Sequence, residues 1–255
     1  MSDANMAILY IVVPCYNEEE VLPESARVLR MKLRNLIDRD RVNPQSRLLL
    51  VDDGSRDRTW RIISKLCDEN ELICGLRLSR NRGHQNALMA GLLVAAKHCD
   101  ITVSIDADLQ DDADAIDEMV EKYYERVPIV CGVRKNRDSD SFFKRFTAHG
   151  FYFLMNLFGS KSIFDHADFR LMSAHAVKKL ACFGTDDLYI RGLITRLGLP
   201  IEKIYYNRLP RTAGESKYSL RKMLALAKRG FESKKMQPAA TMMVGELYIA
   251  EEIIK

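Results

Sequence analysis

The sequence predicts an α/β protein with an open, mostly parallel sheet flanked by helices, and three features of its 255 residues support this. Five short apolar, β-branched runs alternate with stretches of helical length, the pattern of successive βαβ units. The runs are close to continuously hydrophobic, as strands covered on both faces are. After the fifth run the alternation stops, and the last regular feature is a basic amphipathic helix, so a C-terminal amphipathic helical extension is expected.

The elements follow in order. Ala7 to Val13 (AILYIVV) reads as the first strand and stops at Pro14. Asn17, followed by Glu18, Glu19 and Glu20, offers a capping side chain and negative charge for a helix running to about Asp38. Arg47 to Val51 is the second strand, ending in Asp52-Asp53-Gly54-Ser55, with a helix from about Thr59 to Asn70. Leu72 to Leu78 is the third strand and Asn86 to Lys97 its helix; Ile101 to Ile105 is the fourth, closed by Asp106-Ala107-Asp108, before an acidic helix from about Asp114 to Arg126. Pro128 to Val133 is the fifth. From Asp140 onward, helices and irregular segments are expected to lie over the same sheet without a linker. Six of the ten Phe fall between Phe142 and Phe158, a core or dimer surface. From Tyr218 to Ser233, Leu220, Met223, Leu224, Ala227 and Phe231 share one helical stripe, with Arg221, Lys222, Lys228 and Arg229 beside and behind it.

Composition narrows the function. With 47% hydrophobic and 29% charged residues the chain is neither disordered nor fibrous. A net charge of +4 is too small for a general nucleic-acid binder, and no nucleic-acid partner is expected. The six cysteines form no CxxC pair and no zinc-spaced cluster, which suits free thiols in a reducing cytosol. The N-terminus lacks the pattern of a secretion signal, and no stretch reaches the length of apolar sequence that spans a bilayer.

Ligands of open α/β sheets bind beyond the carboxyl ends of the strands. Here those ends are acidic: Glu18 after the first, Asp52 and Asp53 after the second, Asp106 and Asp108 after the fourth. Each Asp alone could simply cap the helix that follows. The first strand leads into PCYNEEE, without a GxGxxG or GxxxxGK[ST] phosphate loop, so an acidic site would hold a diphosphate through a divalent cation, Mg or Mn. An Asp-x-Asp phosphatase of the haloacid-dehalogenase type needs its motif on the first strand, which this chain lacks.

VVPCYNEEE, VDDGSRDRT, SRNRGHQNALMAGL and SIDADLQDD, in this order, resemble the nucleotide-sugar domain of glycosyltransferase family 2, which has the Rossmann-like GT-A fold. CGVRKNRD, ADFRLMS, YIRGLITRLG and RTAGESKYSLRKM resemble its polyprenyl-phosphate sugar transferases, the group of dolichyl-phosphate mannose synthase and the bactoprenol glycosyltransferases. The resemblance covers about residues 7–229, a nucleotide-sugar part to about 135 and an acceptor-side part to 229, and leaves 230–255 unplaced. It implies that Pro14, Tyr16, Glu18, Asp52, Asp53 and Ala107 contact the nucleotide sugar, and that Asp106, Asp108 and Gln110 bind metal and diphosphate. It places Arg134, Arg211, Ser216 and Lys217 at the donor and acceptor phosphates, a role that suits the fork of arginine. Asp168 is the implied acid beside the acceptor, so that Asp168, Asp108 and Arg134 form the catalytic set. The bland alternatives are a rim aromatic for Tyr16, a solvated residue for Gln110, a basic face for Arg137 and Arg221, and a structural Asp168–Arg170 pair. The five histidines show no ligand spacing and read as structural, His84 with the least certainty because it stands at a helix start.

The implied reaction is an inverting transfer from a nucleoside-diphosphate sugar, a UDP-sugar rather than GDP-mannose, to a polyprenyl phosphate. The alternatives are a saccharide acceptor in polysaccharide synthesis and, in another class, an inactive nucleotide-sugar-binding scaffold. Residues 208–235 carry nine Lys or Arg against two Glu, which with the apolar stripe suggests a peripheral enzyme on the cytoplasmic face of the membrane, held through about 218–235. A homo-oligomer is compatible with all of this.

Overall fold

In the computed structural model, residues 6–135, 166–183, 190–208 and 249–254 are described. The first half follows the predicted alternation: β1 (Leu9–Cys15), α1 (Leu22–Asp38), β2 (Arg47–Asp52), α2 (Thr59–Glu69), β3 (Ile73–Leu78), α3 (His84–Ala95), β4 (Ile101–Ser104), α4 (Ala115–Tyr124) and β5 (Ile129–Arg134). The second half departs from expectation. Residues read as helical or irregular instead supply strands β6 (His166–Ser173), β7 (Ile201–Tyr206) and β8 (Ile249–Ile253), with short helices α5 (Ala174–Ala181) and α6 (Ile190–Leu193) between the first two.

All eight strands form one sheet in the order β7-β5-β6-β4-β1-β2-β3-β8. The central β4, β1, β2 and β3 are mutually parallel. β6 runs antiparallel between β4 and β5, and β8 antiparallel along the edge of β3, making the sheet mixed. Two cores cover it. Leu9, Ile11, Leu48, Leu50, Val103 and Phe169 pack under α1, α2 and α4, while Tyr10, Val12, Leu49, Val51 and Leu76 pack under α3, α5 and α6. Helix α3 is buried at every position from Ala87 to Ala95, because it lies between the sheet and α5. Gly91 permits that approach, since a Cβ there would stand 2.6 Å from Val12 Cγ1 and 2.7 Å from Val51 Cγ2.

One local correction concerns the start of α1. Asn17 is no cap: it takes φ 50 and its side-chain oxygen accepts from the Arg56 N–H at 2.9 Å, tying the loop after β1 to the loop after β2. The helix begins at Leu22, with Pro23 in its first turn. The neighbouring loops are equally tight. Gly54, at φ +65, would place a Cβ 2.5 Å from the Arg80 carbonyl carbon, so the loops after β2 and β3 touch through bare backbone. Gly54→Ala is expected to cost about 2–4 kcal/mol, read as a lowered midpoint in denaturant unfolding; an unchanged midpoint would show that the two loops yield freely.

Candidate active site

Because β1, β2 and β4 are parallel neighbours, their carboxyl ends share one edge, and β6, running the other way, begins there. Ser104 pairs with Arg170, which sets Asp168 just past the end of β4, beside Asp106. The Ser104 hydroxyl bonds the Asp168 carbonyl oxygen at 2.5 Å and fastens the two strands where the acids meet.

Asp168 is buried and heavily bonded. It accepts from Gln85 Nε2 at 3.0 Å, from Arg191 Nε and Nη2 at 3.1 and 3.0 Å, and from Arg170 Nη2 at 3.3 Å. His84 Nε2 stands 3.4 Å from Asp168 Oδ2 and 3.6 Å from Asp106 Oδ1. Burial alone would raise the Asp168 pKa, but the Arg191 charge and the His84 hydrogen bond overcome it and hold the carboxyl well below the usual carboxylate range. Gln85 also accepts from the Ile190 N–H at 3.1 Å, so α3, β6 and α6 meet at this one carboxylate.

His84 shows the converse balance. Burial opposes its charged form, but the hydrogen bond with Asp168 and the charges of Asp106 and Asp168 carry its pKa up to about 9, against the opposing Arg191. A raised histidine contributes stability that is complete below its unfolded pKa of about 6.5 and is lost as pH rises through the folded value. In EDTA, the thermal midpoint is therefore expected to fall between pH 6.5 and 9.5, and His84→Gln to remove that part of the slope. A variant retaining the whole wild-type slope would assign the fall to other groups.

Asp106 is pushed up to about 6 by burial, reinforced by the charges of Asp111, Asp168 and Asp108 and moderated by His84. A cation would relieve this repulsion. Among the described residues no three His, Cys, Asp or Glu are grouped to hold an ion unaided. Two carboxylates completed by phosphate oxygens is how a hard divalent ion is commonly held, so Asp106 and Asp108 fit such an ion on a diphosphate. Ala107 between them is buried and its carbonyl accepts from the Ser25 hydroxyl.

The other predicted residues sort clearly. Asp53 spends both oxygens on backbone, accepting from the Arg82 N–H at 2.7 Å and the Gly83 N–H at 2.9 Å, and so shapes the loop before α3. Asp52 accepts from the Ser55 N–H at 3.1 Å, whereas its buried Oδ2 has no hydrogen-bond partner among the described residues and lies 3.5 Å from Arg77 Nε. Arg77 stacks over Trp60 at 5.6 Å. Pro14 is buried in β1 opposite Val51, and Tyr16 and Glu18 follow half-buried, the Glu18 N–H donating to Thr59 Oγ1 at 2.9 Å. Arg134 is drawn to Asp111, which its Nε and Nη2 meet at 3.2 and 2.9 Å, and Gln110 Oε1 accepts from Arg208. Arg211, Ser216, Lys217, Arg137, the 142–158 segment and the 218–233 helix lie outside the described residues.

Sequence reasoning missed Gln85, Arg191, Asp111, Tyr206 and Arg208, and read His84 as structural. His84 and Gln85 carried a signal, since they open the helix after a strand whose end lies on the acidic edge. The rest come together only through the antiparallel β6 and its neighbours. Among the described residues no helix is long and apolar enough to cross a membrane.

Known proteins share this fold. Glucosyl-3-phosphoglycerate synthase from Mycobacterium tuberculosis, solved with Mn2+, UDP and glucosyl-3-phosphoglycerate, superposes with a TM-score of 0.60 at 17% identity, over 91% of this chain and 80% of that one. The likeness is one of fold, and it bears out the expected GT-A architecture. In sequence, the uncharacterized glycosyltransferase YkoT of Bacillus subtilis (strain 168) is 45% identical over 231 residues, 91% of this chain and 68% of its own. The bactoprenol glucosyl transferase of Shigella phage SfV is 32% identical over 242 residues, 94% of this chain and 76% of its own. The family model described as glycosyl transferase family 2 matches residues 10–181, from β1 with its acidic neighbours through the strand that carries Asp168, and the chain therefore belongs to that family and is a glycosyltransferase.

Proposed function

We propose that this enzyme transfers a sugar, with inversion, from a UDP-sugar to a polyprenyl phosphate at the cytoplasmic face of the membrane. The observation that carries the reading is the saturation of Asp168. A carboxylate offers about four lone-pair positions, and Asp168 meets Gln85, Arg170, both arms of Arg191 and the nearby His84. It has no capacity left to take a proton from a sugar hydroxyl. The acceptor must therefore arrive already ionised, as a phosphate monoester does at neutral pH, its second pKa being about 6. The bactoprenol glucosyl transferase relatives support the same choice.

In this reading the acceptor phosphate oxygen bonds to the anomeric carbon as the bond from that carbon to the diphosphate breaks, its electron pair leaving with the nucleoside diphosphate. A divalent ion, Mg or Mn, supplies charge neutralisation on the departing diphosphate. Asp106 and Asp108 would hold it there, with Gln110 beside them. Asp52, whose buried Oδ2 lies 3.5 Å from Arg77 Nε, is assigned to accept an N–H from the base. Arg134, with Arg211, Ser216 and Lys217 beyond the described residues, is assigned to the phosphates, and Asp168 orients the cationic groups around the acceptor.

A panel of UDP- and GDP-sugars offered with a short polyprenyl phosphate and Mn2+ tests this. Sugar recovered on the lipid phosphate is the expected outcome. Transfer to a saccharide hydroxyl with none to the lipid would overturn the acceptor assignment, and donor binding without turnover would favour the scaffold alternative.

A further inference from the structure

The end of β7 reaches back to the acidic loop between β4 and α4. The Tyr206 hydroxyl donates to Asp111 Oδ1 at 2.5 Å, the same oxygen that Arg134 meets. Two residues on, Arg208 donates to Gln110 Oε1. The Gln110 N–H in turn donates to Asp108 Oδ1 at 3.2 Å, and Leu109 between them takes φ 52, a backbone that leucine adopts only where its surroundings impose it. The loop that presents Asp108 is thus gripped from the far side of the sheet by two side chains of one strand end.

Asp111 is what makes that grip matter. It is 2% exposed and its Oδ2 has no hydrogen-bond partner among the described residues, so Oδ1 carries the bonds that compensate a buried polar group. Losing one donor loosens the whole arrangement, which includes Arg134, whose Nε also stands 3.3 Å from the Tyr206 hydroxyl.

We propose that Tyr206 and Arg208 are positioning residues of the transferase: they fix the 108–111 loop, and so the direction from which Asp108 meets the cation and diphosphate of the donor. The inference rests on the reading of Asp106 and Asp108 as the donor-side acids. It assigns to β7, which lies four strands from β1, a share in donor binding through the loop it holds.

Tyr206→Phe and Arg208→Ala provide the test. The first keeps the aromatic ring, which packs edge-to-face on Phe169 at 5.2 Å, and the second changes an exposed side chain, so both variants are expected to fold. Mn2+ uptake in the presence of UDP, followed by electron paramagnetic resonance of free Mn2+, and UDP affinity by calorimetry would be measured beside the unfolding midpoint. Each variant should bind Mn2+–UDP about tenfold more weakly, the change expected from one lost hydrogen bond to a buried group. Arg208→Lys, which keeps a donor, should recover part of the loss, and the donor KM should rise more than kcat falls. Variants that bind Mn2+–UDP as the wild type does, with only the unfolding midpoint altered, would overturn the proposal. A wild-type protein that binds no Mn2+–UDP would instead bring down the donor-site reading itself, and this proposal with it.

Discussion

Asp168→Asn is expected to abolish sugar transfer by about a thousandfold or more and to cost about 3–5 kcal/mol of stability, because it removes the counter-charge on which three cations converge. Arg170 is wholly buried and its Nε and Nη1 already lack hydrogen-bond partners, so Asp168 is its one ion-pair partner among the described residues. Arg191 chelates the same carboxylate and His84 leans on it. An asparagine keeps the shape, but it has a single acceptor oxygen and turns an amide N–H2 toward one of these donors. Denaturant unfolding and the lipid-phosphate assay read the two effects separately. The double variant Asp168→Asn/Arg191→Gln should regain part of the stability and none of the transfer, since it balances the charge without restoring the anion. A single variant as stable as the wild type would remove Asp168 from the role of counter-ion, and normal turnover in its folded fraction would remove it from the reaction.

What could be read from the chain tracks what physical pattern each element carries. β1 to β5 are legible because strands covered on both faces are written as mostly apolar runs rich in Leu, Ile and Val, and their helices fill the intervals. β6 is not, because HADFRLMS places Asp168 and Arg170 within a buried strand, and charges there read as loop until one sees that they pair with each other. β7 alternates only from Lys203 to Tyr206, with Ile204 and Tyr206 buried and Lys203 and Tyr205 exposed, and the exposed Glu202 interrupts the pattern before them. β8, with two glutamates in five residues, has a single partner strand among the described residues and almost no signal of its own. The site divides in the same way. The acidic strand ends were visible because parallel topology brings successive strand ends to one edge whatever the loops do. Gln85, Arg191 and Tyr206 were not, because an antiparallel insertion decides what they touch. Asp53 was legible as an acid but not as a loop clasp, a distinction made only by where the Arg82 and Gly83 amides point.

The second large effect should run opposite to the first in stability. Asp108→Asn is expected to lose at least about a thousandfold in transfer, the size of several kcal/mol of charge stabilisation at the leaving diphosphate, while its unfolding midpoint in EDTA stays level or rises. Asparagine can still accept the Gln110 N–H through Oδ1, so the turn survives. What disappears is one of the negative charges that, with burial and with Asp111 and Asp168, hold the Asp106 pKa up near 6. Folding the wild-type chain brings these carboxylates together at a cost that, in the proposed function, a bound cation would repay, the trade of stability for function that active sites commonly make. Added Mn2+ and UDP should therefore raise the wild-type thermal midpoint and leave that of Asp108→Asn unmoved. If the variant instead unfolds as readily as Asp168→Asn in EDTA, Asp108 is a structural clasp. The contrast has one physical source: Asp168 is surrounded by more positive charge than it can satisfy, whereas Asp106 faces His84 against three carboxylates.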